Sequence, residues 1–279
     1  MTTFQKLVYA LQWEMERPTN YGAFHIASLL LVVLLTAFLI IRFRNTSDKT
    51  LRRILLVAWL VMVVLEVFKQ FSFTLDSDDG ITARWDFQWY AFPFQFCSTP
   101  LYALPLAIFL PEGKVRRAVM TFLCTFSLFA GLAVMLYPND VFVRTIGIDV
   151  QTMVHHGLQV ALGIFLAVYN HRHLNKRHFA WSLLVFYAFA AIAMGMNLGV
   201  YHLLGIRDTF NMFYISPYFD CTLPVLSGIY KATPYPVFLL IYLVGFALVS
   251  AIVYAAEKGL NAGIMHIKHR AAARSGSES

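Results

Sequence analysis

Residues 150–170, VQTMVHHGLQVALGIFLAVYN, decide how this chain is read. The run is about as long as the ~20 residues that cross a bilayer as a helix. It nevertheless carries two adjacent histidines, His155 and His156. Ionisable groups inside hydrocarbon are costly and default to a functional reading. Gln151, His155 and Gln159 recur every four residues and share one helical stripe, with Thr152 and His156 on the next. That face must point into a bundle, because lipid offers no hydrogen-bond partners. The plainer reading has these groups tying neighbouring helices together. Two histidines flanked by two glutamines favour a site.

Outward from this stretch, apolar runs recur along the whole chain: 24–42, 54–73, 88–110, 117–137, 150–170, 179–204 and 236–256. Hydrophobic residues make up 59% of the 279 and charged residues 13%, too few charges to clothe a soluble globule. The interruptions are too short for a soluble domain. The expectation is an all-α polytopic bundle of seven transmembrane helices forming one domain, 1–256, with a basic tail, 257–279, whose end AAARSGSES reads as disordered. Arg42, Arg44, Lys49, Arg52 and Arg53 mark one face, as do Lys114, Arg116, Arg117, Arg172, Lys176, Arg177 and the basic tail. The excess of positive charge there sets the N-terminus outside and the C-terminus in the cytoplasm. The net charge of +7 is mostly this asymmetry and suits an anionic inner leaflet; no nucleic-acid footprint goes with it. No cleavable leader is visible, and residues 4–13 could lie as a short interfacial helix.

Two regions break the pattern. Pro93, Pro100 and Pro105 should kink or interrupt the third segment. The stretch 205–235 is too aromatic for water, and either folds over the external mouth of the bundle or dips into the membrane. Glu66 and Lys69, three apart in the second segment, can pair, with Lys69 alternatively reaching for the interface. Gln95 and Cys97 in the third segment and Asn197 in the sixth should lie at the depth of the histidines. A lone cysteine in an apolar segment is usually a small hydrophobe, which is the reading for Cys124. Cys97 differs, because kinked backbone offers polar groups near it and the histidines lie at a compatible depth, and a thiol beside an imidazole is the minimum for an activated nucleophile. Cys221 reads as a loop residue, and the odd count of three cysteines implies no disulfide framework. His171, His173 and His178 read as a solvated basic loop. No metal or cofactor motif is present: no histidine boxes, no glycine-rich phosphate loop, and no lysine for a retinal Schiff base in the last segment.

Three stretches, FPFQFCSTPLY around Cys97, MVHHGL around His155 and NMFYISPYFDCTLPVLSGIYKATPYPVFLL from Asn211, carry a resemblance. With them the chain resembles the YwaF family of bacterial integral membrane proteins, which is similar to the transmembrane protein 164 acyltransferases of animals. The resemblance implies an enzyme of the plasma membrane whose partners are membrane lipids. Cys97 would take an acyl group as a thioester and His155 would act as base, with His156 the competing base. Asn211 and Tyr214 would belong to an external cap. Glu66 would orient a histidine, Gln95 or Asn197 would bond the oxyanion, and Gln159 would line the site. The sequence departs at Gln95, where many YwaF-like chains are expected to carry a histidine. Two other readings remain open. One is a proton- or ion-coupled transporter using Glu66, Lys69 and the histidines. The other is a non-catalytic receptor or assembly factor working through the aromatic stretch.

Overall fold

A computed structural model describes residues 1–77, 80–171, 174–207 and 209–275, with the backbone alone for 264–275. The chain opens on α1, Thr3–Leu11, closed by a reciprocal capping box between Thr2 and Gln5. Helix α2 spans Ala23–Phe43 and α3 spans Asp48–Thr74, the latter started by the Ser47 hydroxyl, which accepts from the Thr50 amide. A short antiparallel pair follows, β1 Leu75–Asp76 with β2 Arg84–Trp85. Two 3-10 turns, Trp89–Ala91 and Phe96–Ser98, lead into α4, Pro100–Phe109. Helix α5, Lys114–Phe122, runs through one π-helical turn, Leu123–Ser127, into α6, Leu128–Leu136. The rest is α7, Ile146–Tyr169; α8, Lys176–His202; α9, Leu226–Ala232; and α10, Tyr235–Ser275. Of the tail expected after 256, residues 257–275 continue α10, and 276–279 lie outside the described residues.

Six helices are long and apolar enough to cross a membrane: α2, α3, the continuous Lys114–Leu136, α7, α8 and α10 up to Gly263. The seventh expected helix, 88–110, is not a continuous one. Its helical part is α4, whose 10 residues rise only ~15 Å, half of a ~30 Å hydrocarbon core. The prolines are the cause. Pro100 starts α4 at a position where a missing N–H costs nothing. Pro105, inside α4, leaves the Leu101 carbonyl without its helical donor, and the Trp59 indole of α3 supplies one at 2.9 Å. At the far end of α4 the Arg116 Nε donates to the Ala107 carbonyl at 2.8 Å and Arg52 donates to those of Ile108 and Leu110, so arginines cap the orphan acceptors of a helix C-terminus. Arg116, only 2% exposed, also pairs with Asp48 and Glu112 and ties the starts of α3 and α5 together.

The helices are not equivalent. In the most apolar window of α7, 78% of residues are buried, and 72% in that of α5–α6; for α2, α3, α8 and α10 the values are 11–28%. Helix α7 and the α5–α6 helix therefore form the centre. The outer helices turn large apolar side chains outward, among them Leu31, Val64, Leu184 and Ile252. Exposure on that scale suits hydrocarbon and not water. The protein is an all-α polytopic integral membrane protein.

Small residues set the central spacing. A Cβ on Gly131 of α6 would stand 2.7 Å from the Gln159 Cβ and 2.9 Å from the His156 carbonyl oxygen of α7. Close helix approach through glycine is a common membrane packing device. Gly131→Ala is expected to push α6 off α7 and to lower stability by about 1–3 kcal/mol, the usual range for overpacking. A thermal-unfolding midpoint equal to wild type would show that the helices yield without cost.

Within the stretch 205–235 the segment 210–216 packs into the bundle. Phe210, Met212, Phe213 and Ile215 are all buried to within 1%, which explains why it is so aromatic. Cys221 lies in the loop before α9, as expected, and is buried there. Among the basic-loop histidines, His178 is buried against Trp181 at the start of α8, where packing replaces the expected solvent. His171 bonds the Val168 carbonyl at 3.0 Å, and His173 lies outside the described residues.

Candidate functional site

The site begins with a carbonyl that a proline sets free. In the turn Phe96–Ser98 the amide of Ser98 donates to the Gln95 carbonyl and that of Thr99 to the Phe96 carbonyl. The next bond of that ladder would come from residue 100, which is proline and has no N–H. The Cys97 carbonyl is left open, and α7 fills it. Gln159 Nε2 donates to it at 2.5 Å and His155 Nε2 lies 3.1 Å from it. The turn that carries Cys97 is thus held against the histidine stripe of the central helix.

This bond assigns the tautomer of His155. A carbonyl only accepts, so the proton of the neutral ring sits on Nε2 and the lone pair on Nδ1. His155 Nδ1 is buried with no partner. His156 is the mirror case. Its Nδ1 lies 2.7 Å from the Thr152 carbonyl of its own helix, which leaves Nε2 as the bare nitrogen, also buried without a partner. Gln159 Oε1 is a third unpartnered acceptor. The two rings meet edge to face, 5.3 Å between centroids.

Glu66 and Lys69 of α3 pair at 2.8 Å, their side chains 9% and 16% exposed, so Lys69 turns inward and does not reach for the interface. Gln70 donates to Glu66 Oε1 and to the Ala91 carbonyl, both at 2.7 Å, and so ties the pair to the first 3-10 turn. Among the described bonds Glu66 has Lys69 and Gln70 as partners, and no histidine.

The remaining expected residues hold one loop. Gln95 Nε2 donates to the Asn211 carbonyl at 3.0 Å, and its Oε1 accepts from the Phe213 amide at 2.9 Å. Asn197 of α8 does the same for Met212, donating at 3.0 Å and accepting at 2.7 Å. Asn211 accepts from the Ser216 amide at 2.9 Å and donates to the Asp220 carbonyl at 3.2 Å. Between these ties Phe213 and Tyr214 sit at φ 58° and 56°, left-handed conformations that side chains rarely adopt. Such strain persists where surroundings over-determine it, often beside a functional site.

Thus Cys97, His155 and Gln159 are joined directly. Gln95 and Asn197 tie down the loop that carries Asn211 and Tyr214, Glu66 is bonded to Lys69 and Gln70, and His156 is bonded to its own helix. Tyr242 of α10 is a member that sequence reading missed. It is fully buried, its hydroxyl has no partner, and its ring stacks at 4.4 Å on Phe246, which meets Phe96, the residue before Cys97, edge to face at 4.8 Å. The available signal was a tyrosine midway along an apolar run, whose polar tip needs a destination.

Comparison with known proteins gives one result. The family model described as the TMEM164 family matches residues 20–254, most of the chain and all three of the stretches that carried the resemblance. No curated protein and no solved structure matches.

Proposed function

This chain belongs to the TMEM164 family, and on that premise we propose that it is an enzyme that moves a fatty acyl group between phospholipids through Cys97. The observation that carries the reading is the shared grip of His155 and Gln159 on the Cys97 carbonyl, with a bare imidazole nitrogen left over. His155 Nδ1 takes the thiol proton, and the thiolate attacks the ester carbonyl of a phospholipid. The tetrahedral intermediate collapses to a thioester, and His155 returns the proton to the departing lysophospholipid oxygen. The hydroxyl of a second lysophospholipid, deprotonated by the same nitrogen, then attacks the thioester and regenerates the thiol. Gln95 and Asn197 each keep a second amide N–H beyond its loop bond, and either is a donor for the oxyanion. Asn211 and Tyr214 shape the cap, Gln159 lines the site, and His156 is the competing base. Both substrates already reside in a bilayer, which suits an intramembrane site.

On this reading the segment 88–110 counts as a seventh, broken crossing, with the N-terminus outside and the basic tail in the cytoplasm. The protein belongs to the bacterial, YwaF-like branch and sits in the plasma membrane. The test is acylation of Cys97. Protein in native lipid should carry a hydroxylamine-labile acyl adduct by intact mass, absent from Cys97→Ala. Absence of the adduct in wild type supplied with phospholipid donors overturns the reading. The rival with an observation in its favour is a proton relay, since two buried imidazole nitrogens stand bare beside an ion pair. That reading predicts an activity that survives Cys97→Ala.

A further inference from the structure

A second polar group lies far from Cys97. Glu257 of α10 is 5% exposed, and both of its carboxylate oxygens are buried without a partner. Ser250 and Tyr254 precede it by seven and three residues, which places all three on one face of the helix. The Ser250 and Tyr254 hydroxyls are likewise buried and unpartnered. From Tyr242, beside the cysteine site, to Glu257 the helix rises ~22 Å at 1.5 Å per residue. The two groups are therefore separate, and a role for the second does not depend on acyl transfer at the first.

We propose that Ser250, Tyr254 and Glu257 form a proton-binding site, in which the Glu257 carboxyl holds one proton inside the bundle. An ionised carboxylate finds no cation among the described ion pairs here, and a thiol is the polar group that approaches it. From the π-helical turn Cys124 faces it, a thiol that itself donates to the Thr121 carbonyl at 3.4 Å. From α7 comes the Ala167 carbonyl, taken by Asn261, and from α8 the Phe179 ring, stacked on Tyr254 at 5.0 Å. On α10 itself the Lys258 ammonium lies over the Tyr254 ring, and no ion pair joins it to Glu257 among the described residues. An unpaired charge in such a place costs several kcal/mol, and the group neutralises instead. A neutral acid has one O–H to give and a carbonyl to accept with, which complements two hydroxyls that can do both. A metal ion fits less well: the described residues contain no group of three His, Cys, Asp or Glu side chains that could hold one. The neighbouring π turn is the kind of helix irregularity that recurs at functional sites.

The test reads the charge state directly. Infrared difference spectra of wild type minus Glu257→Gln, in lipid at neutral pH, should show the carbonyl stretch of a protonated carboxylic acid, unchanged when choline chloride replaces sodium chloride. On wild type alone, dicyclohexylcarbodiimide, which enters hydrocarbon and reacts with protonated carboxyls, should label Glu257 well before the arginine-paired Asp48 and Glu112. A carboxylate band at neutral pH overturns the proposal, as does conversion of the acid band to carboxylate by sodium, which would make this a metal-cation site. Labelling of Glu257 no faster than Glu112 overturns it as well, and needs no variant to fold.

Discussion

Acyl transfer is expected to vanish in Cys97→Ala and to fall by about a hundredfold to ten-thousandfold in His155→Gln, the range that a positioned general base supplies. The choice of glutamine matters. Its amide can still donate to the Cys97 carbonyl, as His155 Nε2 does at 3.1 Å, but it cannot take a proton from a thiol. His155→Gln should therefore unfold at nearly the wild-type midpoint while losing rate, which separates a base from a mere tie. His156→Gln loses only a bond to its own helix at Thr152, and the rate should change by less than about tenfold if His155 is the base. The measurement is transfer of a labelled acyl chain from phospholipid to lysophospholipid in proteoliposomes. A larger loss in His156→Gln than in His155→Gln would exchange the roles of the two. Full transfer in Cys97→Ala would end the thioester mechanism altogether.

The second large effect concerns stability. Asn197→Leu is expected to cost about 1–3 kcal/mol, because it strips the partner from the Met212 amide and the shorter of two bonds from the Met212 carbonyl, which keeps the Ile215 amide at 3.4 Å, in a residue with no exposure. A buried backbone N–H left unsatisfied costs roughly 1–3 kcal/mol. The loss should also loosen the loop 210–216, where Phe213 and Tyr214 hold left-handed conformations that need such ties. Asn197→Asp, neutral in so buried a place, keeps an acceptor for the Met212 amide and one O–H for its carbonyl, so its cost should be smaller. The check is the thermal-unfolding midpoint of both variants, with limited proteolysis near Tyr218 as a reading of the loop. Should Asn197→Leu melt like wild type with an intact loop, the amide tie is not what holds this segment.

Much of this architecture can be read along the chain, because lipid imposes a rule on sequence. A segment that meets hydrocarbon must be continuously apolar and must satisfy its own backbone, so α2, α3, α7, α8 and α10 are visible as runs, and α5 and α6 as a single one. The break before α4 is visible in Pro93 and Pro100, since a residue without an N–H cannot carry a helix onward. The stripe of His155 and Gln159 follows from helical spacing alone. Some boundaries misled for a related reason. The last apolar run seemed to end at 256 because Glu257 and Lys258 follow it, yet α10 continues and buries Glu257 on its inner face.

What the sequence determined by itself was therefore the kind of protein, the break in the third segment and the set of polar residues available inside it. Tertiary structure decided which of those residues meet. Nothing in local spacing says that Pro100 frees a carbonyl for two side chains some 60 residues away, as it does for His155 and Gln159. Nor does it say that residues 210–216, part of the aromatic stretch between α8 and α10, are core, stapled by Gln95 and Asn197. Periodicity tells a side chain which face of its own helix it shares, whereas a hydrogen bond needs a partner at ~3 Å and the right angle. That is set by how helices pack around small residues such as Gly131, and it exists only once the bundle has closed.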